Sequence, residues 1–159
     1  MTTTVNAEFG EVFFYQVDGS AEDLAFKLVR NSRREGWRVC VRGTSSEQLE
    51  RFETRLWSQP HTEFFGLGIE GGEFDSDQSV LLTTSECRTN DRQALIVLPG
   101  ATVKSDDVKR HVRVMLVFSG NDSEIGNARE HWKAFAALKC RLKYVKKQQG
   151  KWQIAHTVN

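Results

Sequence analysis

Short runs that are almost wholly apolar recur along this chain. They include Val12-Phe13-Phe14-Tyr15-Gln16-Val17, Val80-Leu81-Leu82-Thr83, Ala94-Leu95-Ile96-Val97-Leu98 and Val112 to Phe118. Each is far too short to cross a bilayer. A strand with one wet face alternates polar and apolar residues, whereas a strand covered on both faces reads as a continuous apolar run. Such runs therefore demand helices above and below them.

Helices of the required kind lie between the first runs. Asp18-Gly19-Ser20 turns the chain, and Ser20 with Asp23 three residues on is a helix-start signal. Leu24, Ala25, Leu28 and Val29 then fall on one stripe, and Gly36 ends the helix. Trp37, Val39 and Val41 alternate with Arg38, Cys40 and Arg42 as a second strand. Ser45 with Gln48 opens a second helix, with Leu49, Phe52 and Leu56 on its buried side. This alternation predicts right-handed crossovers and a parallel sheet.

The pattern then breaks. Residues 58–79, with Pro60 and Gly71-Gly72, read as a long exposed loop, and 85–92 as a polar turn. Val103 to Lys109 predicts a helical turn. Asn121 or Ser123 caps a last helix that runs to about Leu138. Leu142, Tyr144 and Val145, then Gln149-Gly150, then Trp152 and Ile154 predict a terminal hairpin. The expected architecture is one three-layer, Rossmann-like α/β domain over 11–159. A mainly parallel sheet lies between helices on both faces, with a C-terminal hairpin, and residues 1–10 form a loose leader.

Composition narrows the function. The 159 residues carry a net charge of +1, so a general nucleic-acid binder with a large positive excess is disfavoured. Lys139, Arg141, Lys143, Lys146, Lys147 and Lys151 nevertheless crowd the end of the chain, and read first as a solvated surface. Cys40, Cys87 and Cys140 have no metal-type spacing, and free thiols fit a reducing compartment. The start of the chain lacks a signal-peptide pattern, so a cytoplasmic, membrane-free protein is expected.

No catalytic or cofactor motif emerges. The turn after the first strand holds only Gly19, where a dinucleotide fingerprint needs several glycines. There is no phosphate-binding loop and no nucleophile elbow. His61, His111, His131 and His156 are isolated, with His131 expected to point to solvent. Asp75-Ser76-Asp77 and Asp106-Asp107 read as solvated turns and helix starts. No metal, no cofactor and no catalytic residue is assigned.

Two constellations suggest binding instead. On the last helix Arg129 and Lys133 stand four apart with Trp132 between them, a combination suited to a ligand both anionic and aromatic. Trp132 also shares the side of Ile125, Ala128, Phe135 and Leu138, so core packing competes with that reading. The second is Trp57, Pro60, Phe64 and Phe65, where bulky aromatics continue past a helix end. They form either an interface hot spot or a satellite core.

Taken in order, these segments resemble the chi subunit of bacterial DNA polymerase III holoenzyme, over roughly residues 11–155. The resemblance rests on Phe14-Tyr15, on Arg55-Leu56-Trp57-Ser58-Gln59-Pro60 followed by Phe64, and on Val80-Leu81-Leu82-Thr83. It continues through Leu98-Pro99-Gly100-Ala101 and Ala128-Arg129-Glu130-His131-Trp132-Lys133. Leu142-Lys143-Tyr144 with Gly150-Lys151-Trp152 resembles the longer members. It implies a non-catalytic adaptor of the clamp-loader assembly. Such proteins bind the acidic, phenylalanine-ended C-terminal tail of single-stranded-DNA-binding protein, and also psi or, at an overlapping surface, a repair helicase. They meet the clamp loader and DNA only indirectly.

By position, Arg129, Trp132 and Lys133 would hold the tail, with Phe118 and Leu142 as apolar walls. Trp57, Pro60 and Phe64 would face psi or the helicase. The chain departs from the family where Leu138-Lys139-Cys140 replaces a glycine after the last helix, and where Ile125 stands in place of a lysine. Two other readings stay open. One is a small nucleotide- or phosphate-binding enzyme using the Asp18-Gly19-Ser20 turn. The other is a direct single-strand binder using Trp152, Tyr144 and the C-terminal lysines.

Overall fold

A computed structural model describes residues 9–58, 67–71, 75, 78–85, 92–148 and 150–158. The chain runs through β1 (Glu11–Val17), α1 (Ala21–Arg34), β2 (Val39–Arg42), α2 (Ser46–Trp57), β3 (Leu67–Ile69) and β4 (Val80–Thr83). It continues through β5 (Ala94–Val97), α3 (Ser105–Arg110), β6 (Arg113–Ser119), α4 (Asp122–Ala137), β7 (Arg141–Gln148) and β8 (Lys151–Val158). The eight strands form one sheet in the order β3-β4-β2-β5-β6-β1-β7-β8. Every pairing is parallel except that of β7 with β8, a C-terminal hairpin. The expected Rossmann-like fold class is the observed one.

Two cores flank the sheet. Val17, Val41, Ile96 and Val117 face α1 and α2, where Phe26 stacks on Phe52 at 4.6 Å between ring centres. Val12, Phe14, Val114 and Leu116 face α3 and α4, against Val108, Ala128 and Phe135. β2, β4 and β5 are buried at every residue, as strands between two helical layers must be. The caps are those read from the sequence. Ser20 accepts from the Asp23 N–H at 3.2 Å and Ser45 from the Gln48 N–H at 3.1 Å. Gly36 closes α1 with φ 78°, in the left-handed region.

Three expectations are corrected. The loop expected over 58–79 contains the edge strand β3, which pairs with β4. Just ahead of β1, Phe9 is buried, and the Gly10 N–H donates to the Val108 carbonyl at 2.9 Å. A Cβ on Gly10 would lie 2.2 Å from the His111 carbonyl oxygen, so only glycine fits.

Two residues expected in polar turns, Asp107 and Arg92, are buried. Asp107 takes a bidentate ion pair from Arg42 at 2.7 and 2.9 Å and accepts from the Lys104 N–H at 2.8 Å. Burial pushes its carboxyl up, but Arg42 and the Lys104 N–H outweigh this and hold it below the ordinary value. Arg92 donates to the Val39 and Asp75 carbonyls at 3.2 and 3.0 Å. Each charge is tolerated inside because it has hydrogen-bond partners there. Cys40 and Cys140 are buried, and Cys87 lies outside the described residues.

Candidate protein-docking site

The site is organised by α4. Asn121 caps it, its side-chain oxygen accepting from the Ser123 and Glu124 N–H groups at 2.8 and 3.3 Å. Glu124 reaches back to Ser119, accepting from its N–H at 3.1 Å and its hydroxyl at 2.9 Å, which ties the helix start to the end of β6. At the other end Lys139 takes φ 62°, the left-handed conformation usually given to glycine. The Lys139 N–H donates to the Ala136 carbonyl at 3.1 Å and the Cys140 N–H to that of Phe135, also at 3.1 Å. That pair of bonds is a Schellman ending, formed here without glycine.

Helical spacing places Ala128 and Phe135 deepest, with Trp132 and Ile125 on the flank that faces the hairpin. Trp132 is half-buried. Its indole meets Phe14 of β1 edge-on at 5.2 Å, Tyr144 of β7 at 6.0 Å and His156 of β8 at 6.4 Å. Tyr144 and His156 meet each other at 6.3 Å. The Tyr144 hydroxyl donates to the Gln16 side chain, which orients the ring. The inner edge of Trp132 thus packs on the core while part of the ring stays open.

Arg129 is exposed one turn before Lys133, on the same flank. Among the described residues no carboxylate pairs with it. Burial pushes the Tyr144 hydroxyl above its ordinary value, against the opposing positive field of Arg129. Lys133 reaches Glu130 only at 3.9 Å, with both side chains largely in solvent, so its charge remains available to a ligand.

The other expected residues separate into three groups. Phe118 and Leu142, expected as apolar walls, are 3% and 0% exposed and offer no surface to a ligand. Phe118 instead supports Tyr144 edge-on at 5.9 Å. Trp57 closes α2 and is 57% exposed, far from the Trp132 cluster in the fold. Its neighbour Arg55 is held by Asp23 and Glu22 and lies over Phe26 at 4.8 Å, so the last turn of α2 is anchored while Trp57 projects. Pro60 and Phe64 lie outside the described residues.

His131, expected in solvent, turns inward on the opposite flank. Its Nε2 accepts from the Val103 N–H at 3.4 Å and its ring stacks on Phe135. Burial lowers its basicity, against the opposing pull of the Asn127 backbone. Tyr144 and His156 were missed as site residues because they neighbour Trp132 only through strand order.

The hydroxyl of Ser20 in the Asp18-Gly19-Ser20 turn accepts from the Asp23 N–H and caps α1. Among the described residues no three His, Cys, Asp or Glu side chains converge as a metal site would require. Nor is any helix long and apolar enough to cross a membrane.

The fold is shared with solved structures of low sequence similarity. The C-terminal domain of S. cerevisiae Dbp5, solved with Gle1 and IP6, superposes with a TM-score of 0.59 at 12% identity, covering 86% of this chain and 90% of that one. At that identity the likeness concerns the architecture alone. No curated protein matches the chain. The family model described as the DNA polymerase III chi subunit, HolC, matches residues 9–143, from the buried Phe9 through α4 into β7. The chain therefore belongs to the DNA polymerase III chi subunit (HolC) family, whose members serve the replisome as non-catalytic accessory subunits.

Proposed function

We propose that the Arg129–Trp132 face captures the acidic C-terminal tail of single-stranded-DNA-binding protein. The observation that carries this reading is a half-buried indole in a frame of Phe14, Tyr144 and His156, with the Arg129 guanidinium one turn away on the same flank and paired to no carboxylate among the described residues. An aromatic end residue packs against the exposed part of the indole. The terminal carboxylate takes the two parallel N–H groups of Arg129, and Lys133 attracts the acidic residues that precede it. Ordering a flexible tail offsets much of the gain, so binding is about micromolar and weakens with salt.

Trp57 marks a second docking point, for psi or a helicase. More than half of a large aromatic side chain is exposed on an anchored helix end, the form an interface hot spot takes.

One experiment tests both surfaces. Tail peptide and psi are each titrated against wild-type protein, Arg129→Ala and Trp57→Ala. Arg129→Ala weakens the tail about tenfold or more and leaves psi alone, and Trp57→Ala does the reverse. Unchanged tail affinity in a folded Arg129→Ala protein removes the carboxylate contact.

A further inference from the structure

On the side of the sheet occupied by α1 and α2, α1 lies over β1, β2, β5 and β6. The sheet continues past it into β7 and β8. There Trp152 and Ile154 are 43% and 62% exposed. This is the face opposite Trp132. Alternation along β1 sends Phe14 toward α4 and sends Phe13 and Tyr15 to this side.

The rings here are interleaved with cations. Phe13 stacks with Tyr15 at 5.8 Å, and Trp152 meets Tyr15 edge-on at 5.9 Å. Arg113 lies 4.6 Å and Lys143 5.3 Å from the centre of Phe13, and Lys147 lies 5.6 Å from that of Trp152. Glu11 on this face is engaged by Arg113 and Arg141, both at 3.3 Å, and Asp18 stands at the carboxyl end of β1. Among the described residues Lys143 and Lys147, which share this face with Phe13 and Tyr15, have no carboxylate partner, nor do Lys146 and Lys151, which alternate onto the other face of the hairpin.

The surface opens into a cleft at each end. One of about 790 Å³ lies at the carboxyl ends of β1 and β6, between Gln16, Ser119, Lys146, Lys147 and Lys151. The other, of about 220 Å³, is bounded by Phe13, Arg141, Lys143 and Thr157. A positively charged track of about 20 Å, the length of β1, therefore runs from one cleft to the other over the exposed ring of Trp152 and the partly buried rings of Phe13 and Tyr15.

We infer that this face binds single-stranded nucleic acid directly, in addition to any contact made through a protein partner. Phosphates follow the lysines while unstacked bases lie on Trp152 and Tyr15. Charge complementarity selects a polyanion, and the exposed rings select one with free flat faces. A duplex keeps its bases stacked inside and cannot offer them. The inference does not rest on the tail site, because Arg129 and Trp132 belong to the other face. Lys147, Trp152 and Ile154 also lie beyond the residues matched by the chi family.

The test uses the full chain and a fluorescent oligothymidylate of about 12 nucleotides, followed by anisotropy at low salt. Trp152→Ala weakens binding about fivefold or more. Lys147→Gln weakens it and lowers the magnitude of the log K against log salt slope by about 0.7. Arg129→Ala binds the oligonucleotide as wild type does, and both hairpin variants still bind the tail peptide. A duplex of equal length competes poorly.

No oligonucleotide binding by wild type at low salt overturns the inference, as does unchanged binding in both Trp152→Ala and Lys147→Gln. A doubled mass by sedimentation that Trp152→Ala abolishes also overturns it, and assigns the face to a second copy of the chain. If Trp152→Ala unfolds, Lys147→Gln decides, since removing an exposed charge leaves the core intact.

Discussion

The indole of Trp132 stands edge-on to the ring of Phe14, 5.2 Å between centres with their planes at 65°. Phe14 is wholly buried in β1 and Trp132 only half so in α4. One side chain thus belongs to the core and to the proposed docking face, so its removal is expected to act on both. Trp132→Ala lowers unfolding free energy by about 3 kcal/mol and also abolishes tail binding. Trp132→Phe keeps most of the ring contact and restores stability to within about 1.5 kcal/mol while binding remains weakened. Urea denaturation beside peptide titration separates the two effects. Full-affinity binding by Trp132→Ala would exclude the indole from the site.

Lys139 ends α4 with a positive φ that side-chain-bearing residues adopt at a cost of about 1–2 kcal/mol. Glycine relieves that strain, and the greater freedom of the unfolded chain offsets about half of it. Lys139→Gly is therefore expected to stabilise by about 0.5–1 kcal/mol, read as a higher urea midpoint at unchanged slope. Lys139→Ala, which keeps the Cβ, does not reproduce the gain.

His111 is buried with its Nδ1 2.8 Å from the Arg92 carbonyl oxygen. Burial lowers its basicity, assisted by Arg42 and Arg110, and this outweighs the Arg92 carbonyl and Asp107, which favour the charged form. His131 is lowered by burial too. A folded value below the unfolded 6.5 means that the neutral rings contribute stability in full above pH 6.5. That contribution is lost as pH falls through the folded values. The urea midpoint should drop between pH 7.5 and about 5. The His111→Gln/His131→Gln double variant should show a flatter profile over that window.

The Arg42–Asp107 pair joins β2 to the start of α3. The depressed carboxyl adds stability that is whole above its unfolded value of 3.8 and disappears as pH falls through the lower folded one. Its loss is therefore a separate, more acid stage than that of the histidines. Asp107→Asn removes the bidentate carboxylate from the buried guanidinium and should cost about 3 kcal/mol. Adding Arg42→Met removes the buried charge itself, and part of the loss should return. A double variant no better than Asp107→Asn alone would show that Arg42 matters chiefly for its bonds to the Ser85 and Thr102 carbonyls.

Local sequence was sufficient for the alternation of strands and helices, the Ser20, Ser45 and Asn121 caps, and the hairpin. Each of these depends on residues within a few positions of one another. The Arg129, Trp132 and Lys133 flank was legible on the same ground, since a single helix carries it. Its partners were not. Phe14, Tyr144 and His156 come from β1, β7 and β8, and they meet because β1 lies between β6 and β7 in the strand order. Nothing local encodes that order. The same distance hid the burial of Asp107, whose partner Arg42 is 65 residues away, and the inward turn of His131. Periodicity states which way a side chain faces along its own element. Only the assembled sheet decides what it faces, because burial and pairing are set by neighbours remote in the chain.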